Sequence, residues 1–206
     1  MIRRPPRSTR KESSAASDVY KRQSQYRLAA HLGMALVIFS LLIWTALDIR
    51  HGRVGLPRGL GFGALTVVAV TILAGALVAG MDAGLLYNEY PLMGSGLVPV
   101  EYGDDGVMDA FENPASAQFH HRWIALIATA GVIYLWRFAL SAGVAVWSAN
   151  LMLVIVFGQF ALGILTLINA APVHLGAMHQ TGALLLLATS LSVIHCIYRE
   201  TALQKT

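Results

Sequence analysis

Charge is scarce in this sequence. Only 13% of its 206 residues are charged while 56% are hydrophobic, whereas soluble globular chains carry about 25% charged residues. With a mean hydropathy of +0.59, the chain reads as an integral membrane protein and not as a water-soluble domain. Cysteine is almost absent: the single thiol, Cys196, excludes an internal disulfide and leaves the redox compartment open. Lysine and arginine are missing from the whole of 82–115, a stretch that holds seven acids: Asp82, Glu89, Glu101, Asp104, Asp105, Asp109 and Glu112. The formal charge of +4 is uneven too, since residues 1–23 hold seven Lys and Arg against two acids, seven minus two or +5, leaving −1 for the remainder. The basic character therefore belongs to the leader, and the body offers no basic patch for a nucleic-acid partner.

That leader is polar and rich in Ser, Pro and Arg, and it lacks the apolar core of a signal peptide. It is expected to be disordered, and its likeness to translated sequencing-adapter read-through marks it as an artefact outside the fold. Five apolar stretches are long enough to cross roughly 30 Å of hydrocarbon as helices. They run approximately over 28–47, 60–81, 117–138, 147–168 and 177–197. Gly and Pro punctuate the connections. Arg50, Arg53 and Arg58 place the loop 48–59 in the cytoplasm, and the acidic connection 82–115 then lies outside. Arg137, Arg199 and Lys205 continue the same alternation. The alternation puts the start of the first span outside, directly after an Arg-rich leader, so either the leader is foreign or earlier spans are missing.

Spans one, three and five run in one direction, and His31, His121 and His179 sit within about the first turn of each. An ionisable side chain at that depth is costly and marks a functional site. The same-face neighbour at i+4 is Ala35, Ala125 and Ala183 respectively, with Gly182 at i+3 of His179. Such small residues leave room for a large planar ligand. His120 has Trp123 and Ile124 in those places, so His121 is the better ligand and His120 faces headgroups or the loop. Small residues also line ordinary helix contacts in membranes, and periodicity leaves that plainer reading beside bis-histidine heme ligation by His121 and His179. His51, His174 and His195 read as solvated or interfacial, and Trp44, Trp136, Tyr134 and Tyr198 as interfacial anchors. An ungapped repeat aligns "HLGMALVIFSLL" from His31 with "HQTGALLLLATSL" from His179, 148 residues on (179 minus 31). It suggests a duplicated helical bundle in which spans two to five form one complete unit and span one ends another.

Four segments in order, "SQYRLAAHLGMAL" (24–36), "AGMDAGLLYNEYPLMGSGLVP" (79–99), "NPASAQFHHRW" (113–123) and "GQFALGILTL…PVHLGAMHQTGALLLL" (158–187), resemble the motifs of the heme A synthase family. The likeness covers about residues 24 to 198. It departs at Glu89, where the family tends to have Thr, and at Gly94, where Asp is usual. The resemblance implies an eight-helix membrane protein of two similar four-helix bundles, each with a heme site near the outer surface. It implies that His121 and His179 ligate a heme b cofactor in the C-terminal bundle. It implies further that the N-terminal bundle receives heme O, whose ring methyl is oxidised to a formyl through successive hydroxylations, giving heme A for cytochrome oxidase. His31 matches the second histidine of that substrate site. The family's glutamate, three residues before the partner of His31, has its pseudo-equivalent here in Gln118, three before His121. A neutral amide cannot act as acid or base, so no catalytic residue is expected in this chain. The implied partners are heme O, an unidentified electron donor and the lipid bilayer, with homo-oligomerisation left open.

Two neutral imidazoles at one depth can hold heme iron at both faces and leave no open position for oxygen, which suits electron transfer. Arg122 either pairs with a heme propionate or snorkels to lipid phosphate. The expected organisation is an all-α membrane fold with five transmembrane helices. Its parts are a leader over 1–23, the last helix of a truncated bundle with its cytoplasmic loop over 24–59, a four-helix heme b bundle over 60–198, and a cytoplasmic tail over 199–206. As a C-terminal part of such a synthase, the chain alone is expected to be inactive. Two other classes stay open: a b-type cytochrome subunit that only passes electrons, and a structural or transport protein without cofactor.

Overall fold

The computed structural model describes residues 24–104 and 106–203; the expectation for the leader 1–23 lies outside the described residues. The chain forms α1 (Gln25–His51), α2 (Gly59–Gly80), a short α3 (Asp109–Glu112), α4 (Pro114–Ser141), α5 (Val146–Ile168) and α6 (Val173–Leu203). The five long helices are each long and apolar enough to cross a membrane. Their outward side chains agree: Met34, Ile38 and Leu42 on α1 and Val154 and Phe157 on α5 are more than half exposed. Water would not tolerate so much contiguous apolar surface, and a multi-pass integral membrane protein is the class that does.

Every long helix except α2 outruns the apolar stretch that announces it, because hydropathy ends where lipid ends while the backbone ladder continues to a cap. Helix α4 begins three residues before the apolar run, at Pro114, since the Asn113 side chain accepts from the amides of Ala115 and Ser116 (3.0 and 3.4 Å) and proline suits the first helical position. It ends at Ser141; just beyond, Gly143 at φ +66° lets the Val144 N–H reach back to the Ala139 carbonyl (3.0 Å). One expectation changes as a result. Counted from the helix starts, His31, His121 and His179 are the seventh, eighth and seventh residues of α1, α4 and α6, roughly 10 Å along the helix and not in the first turn.

The core gathers toward the end of the bundle that carries the basic loop. There Trp44, Val68, Val132, Leu135, Met152, Val156, Leu191 and Ile194 interlock, all of them buried. Helix α1 packs on α2 and α6, and the approach at its start is close: a Cβ on Gly80 would lie 2.7 Å from Gln25 Cα. At this end the structure overturns two readings. His195 is fully buried and not interfacial; its Nε2 lies 2.9 Å from Asp48 Oδ1 of α1. Trp44 is buried as well, its ring edge-on to His195 with centroids 5.1 Å apart. The cause lies in the partner. Asp48 stands in the last turn of α1, and beyond it the chain turns at Gly52 so that the Val54 amide donates back to the same carboxylate oxygen (3.1 Å). A carboxylate fixed in that way satisfies Nε2 of the buried imidazole, while its Nδ1 has no hydrogen-bond partner among the described residues.

The acidic connection between α2 and α4 is built rather than loose. Asn88 donates to the carbonyls of Gly84 and Leu167 (2.6 and 3.0 Å), Asn113 donates to the Glu101 carbonyl (2.6 Å), and Met93 is 1% exposed. Glu89 accepts from the amide of Gly94, which stands at φ +73°. The two positions that depart from the family pattern thus touch each other.

Candidate functional site

Opposite the packed end, the same four helices α2, α4, α5 and α6 separate around a cavity of about 430 Å³, within the 300–1,000 Å³ typical of small-molecule and cofactor sites. His121 of α4 and His179 of α6 face each other across it, their ring centroids 6.5 Å apart and their planes at 87°. Ala125 and Ala183, the i+4 neighbours, line it beside them, together with Gly75, Ala79 and Ala128. Two glycines are placed by the rings themselves. A Cβ on Gly163 would lie 2.9 Å from His179 Cε1, and one on Gly75 would lie 3.1 Å from His121 Cε1, so each imidazole occupies space that any other residue would fill.

Each ring is held from behind. His121 Nδ1 is 3.1 Å from the Thr71 carbonyl; a carbonyl only accepts, so the proton sits on Nδ1 and the Nε2 lone pair is free. His179 Nδ1 is 3.1 Å from the Gln159 side-chain amide, which also donates to the His179 carbonyl at 2.7 Å. Three polar atoms of residues lining the cavity are buried without a hydrogen-bond partner among the described residues: Arg122 Nε, Gln118 Oε1 and Gln159 Oε1. Buried polar atoms rarely go unmet, and a polar-edged ligand in the cavity would meet several in one place. The Arg122 guanidinium donates through Nη1 to the Leu92 carbonyl (3.0 Å) and through Nη2 to the Tyr87 carbonyl (2.9 Å). Its place therefore differs from a snorkel to lipid phosphate: it pins the acidic connection over the cavity, to which that connection adds Asp82, Leu85 and Tyr90. Gln118 Nε2 donates to the same Tyr87 carbonyl (3.1 Å).

His120 lies outside the cavity lining, its ring against Tyr102 and Phe119 and its Nε2 3.2 Å from Tyr102 Oη. His31 is exposed on α1 and is not brought to the pair, and His174 is exposed as well. His51 lies half-buried at the far end, 6.2 Å from His195 by ring centroids. Among the described residues no three His, Cys, Asp or Glu side chains converge to hold a metal ion. The cavity's second wall went unread in the sequence. Gln159 and Gly163 stand in a family-like segment without an assigned role, and Thr71 acts through a main-chain carbonyl that no residue type announces.

The helices and the cavity define a class: a multi-pass helical membrane protein whose bundle encloses a two-histidine chamber. Residues 13–191 match the family described as cytochrome oxidase assembly protein, COX15-CtaA, and the chain belongs to that family. It is 44% identical over 171 residues to a heme A synthase of Maricaulis maris, covering 79% of this chain and 50% of that protein. It is 39% identical over 183 residues to one of Parvibaculum lavamentivorans (84% and 52%), and 36% identical over 192 residues to the heme A synthase COX15 of Mus musculus (86% and 46%). The chain thus spans about half the length of the curated relatives it matches. No solved structure matches it.

Proposed function

We propose that this chain is the cofactor-binding half of a heme A synthase, and that His121 and His179 are the axial ligands of a heme b held in the cavity. The carrying observation is the spacing of the two rings. Imidazoles that hold one metal ion from opposite sides have centroids roughly 6–6.5 Å apart, allowing about 2 Å for each metal–nitrogen bond, and the pair here stands at 6.5 Å. With only two protein donors converging among the described residues, a metal ion at this point needs a ligand that brings its own equatorial nitrogens. A porphyrin is such a ligand, and the small residues around the rings give it room. Arg122 Nε is then the group that meets its polar edge, by a charge-assisted bond to a propionate. Held between His121 and His179, heme b would supply one-electron transfer and not oxygen activation.

The chain's own side chains do the rest. The Thr71 carbonyl holds the His121 ring in the ligating tautomer. Arg122 and Gln118 tie the acidic connection over the chamber. In the whole synthase a heme O ring methyl would lose four electrons on its way to the formyl, to an oxidant still to be identified, and that chemistry rests on the second site, to which His31 belongs. The acidic connection faces outside, which puts the heme near the outer surface. A reduced-minus-oxidised spectrum of the purified chain tests the cofactor: a low-spin b-type band is expected, and its absence in a heme-supplied membrane overturns the proposal. Heme extraction tests the division of labour: membranes containing this chain and a heme O source are expected to yield no heme A, and finding it would assign the oxidation to this half.

A further inference from the structure

The two rings are held unequally. His121 Nδ1 meets a main-chain carbonyl, which can only accept, so its tautomer is fixed by the backbone. His179 Nδ1 meets a side-chain amide, which can either donate or accept. As oriented, Gln159 Nε2 points at Nδ1 (3.1 Å) and at the His179 carbonyl (2.7 Å), while its Oε1 is buried without a partner among the described residues. A donor facing Nδ1 leaves the ring proton on Nε2, the nitrogen that faces a metal. A half-turn of the amide exchanges nitrogen and oxygen. Oε1 then accepts the Nδ1 proton and Nε2 of the imidazole is freed; because two acceptors repel, the amide in turning also swings off the His179 carbonyl, which keeps its partner in the α6 ladder. Room for the amide comes from Gly182, where a Cβ would run into Gln159 Oε1.

We infer that Gln159 is the positioning residue for His179: its amide turns on cofactor binding to accept the Nδ1 proton, and the strength of that bond sets the potential of the bound heme. This rests on the heme-binding reading. A stronger acceptor on Nδ1 makes the imidazole more basic and favours the oxidised metal, and a lost acceptor does the reverse.

The experiment uses the full chain purified with b-type heme, in Gln159→Glu, Gln159→Leu and Gly182→Ala forms, reading heme content and midpoint potential. Gln159→Glu is expected to lower the potential with heme retained. Gln159→Leu is expected to raise it and to weaken heme binding about 10–100-fold, and Gly182→Ala, which displaces the amide, to follow Gln159→Leu. A merely structural residue would not move the potential in opposite directions for Glu and Leu. Should Gln159→Leu lose its heme altogether, the comparison of Gln159→Glu with the parent chain decides. A potential unmoved in Gln159→Glu, or moved upward, overturns the inference while leaving the heme-binding reading intact. A parent chain without b-type heme overturns the reading itself.

Discussion

Helix α6 carries His179 at the open end of the bundle and His195 at the packed end, and the two meet opposite surroundings. His179 looks into a cavity of about 430 Å³ between Gly163 and Ala183. His195, sixteen residues on, is fully buried, bonded to Asp48 and capped by Trp44, with Val193 and Ile194 filled in around it. Glycine shows the same contrast. Gly61 at the packed end is met by Ile194, whose Cγ2 would lie 3.0 Å from an added Cβ, whereas Gly75 and Gly163 are met by imidazole carbons of the two facing rings. A buried histidine with a carboxylate partner and bulky neighbours is a packing element. A histidine that faces a cavity with small neighbours on either side has room in front of it for a ligand. What separates them is the volume left in front of the ring.

The largest expected effects come from exchanging the two kinds of histidine. His121→Ala or His179→Ala is expected to abolish the low-spin spectrum, while His120→Ala leaves most of it, because His120 bonds Tyr102 outside the cavity. His195→Leu is expected to keep the spectrum and to lower stability by about 1 kcal/mol, the loss of one hydrogen bond to an Asp48 carboxylate that keeps the Val54 amide, read from thermal unfolding in detergent. Heme loss in His195→Leu with heme retained in His179→Ala would reverse the comparison. A smaller step fills the cavity: Gly163→Ala is expected to weaken heme binding more than Gly75→Ala, since the Cβ approach is 2.9 Å against 3.1 Å. Equal retention of heme in both variants would mean that the rings shift freely. A third test concerns which end faces which solution. A cysteine at Ser95, exposed in the acidic connection, is expected to react with a membrane-impermeant maleimide in intact cells, and one at Gly55 in the basic loop is not; reverse labelling would turn the cavity to the inner side.

Much of this was legible in the sequence because membrane helices announce themselves by composition and because a helix face repeats at i+4. The five helices, the pairing of His121 with His179 across one cavity and the place of Ala125 and Ala183 in its wall all follow that logic. What stayed hidden depends on another helix or on backbone. His195 reads as interfacial in the sequence because Asp48, 147 residues away, becomes its partner only when the helices pack. The Thr71 carbonyl has no residue signature, and the role of Gln159 requires knowing that α5 passes behind His179. Arg122 suits two anionic partners on sequence grounds, and that its Nη1 and Nη2 hold two main-chain carbonyls needs the fold of the acidic connection.

The smallest expected effect belongs to the surface of that connection, where Tyr87 and Glu101 share an exposed bond. Tyr87 donates its phenol proton to Glu101 (2.6 Å), and this bond to a carboxylate, with partial burial and the nearby negative charge behind it, pushes the phenol above its ordinary range. A group whose folded pKa is raised lends stability that is full below the unfolded value, about 10 for tyrosine, and is lost as pH rises through the folded value. The connection should therefore hold through neutral pH and loosen only in strong alkali. Spectrophotometric titration is the check. Tyr87→Phe is expected to remove one late-titrating phenol from the curve and to leave the heme spectrum unchanged at pH 7, because Arg122 and Gln118 hold the Tyr87 main chain and not its ring. If the missing phenol instead titrates near the ordinary value, the bond to Glu101 contributes nothing, and the acidic connection is secured by its main-chain bonds alone.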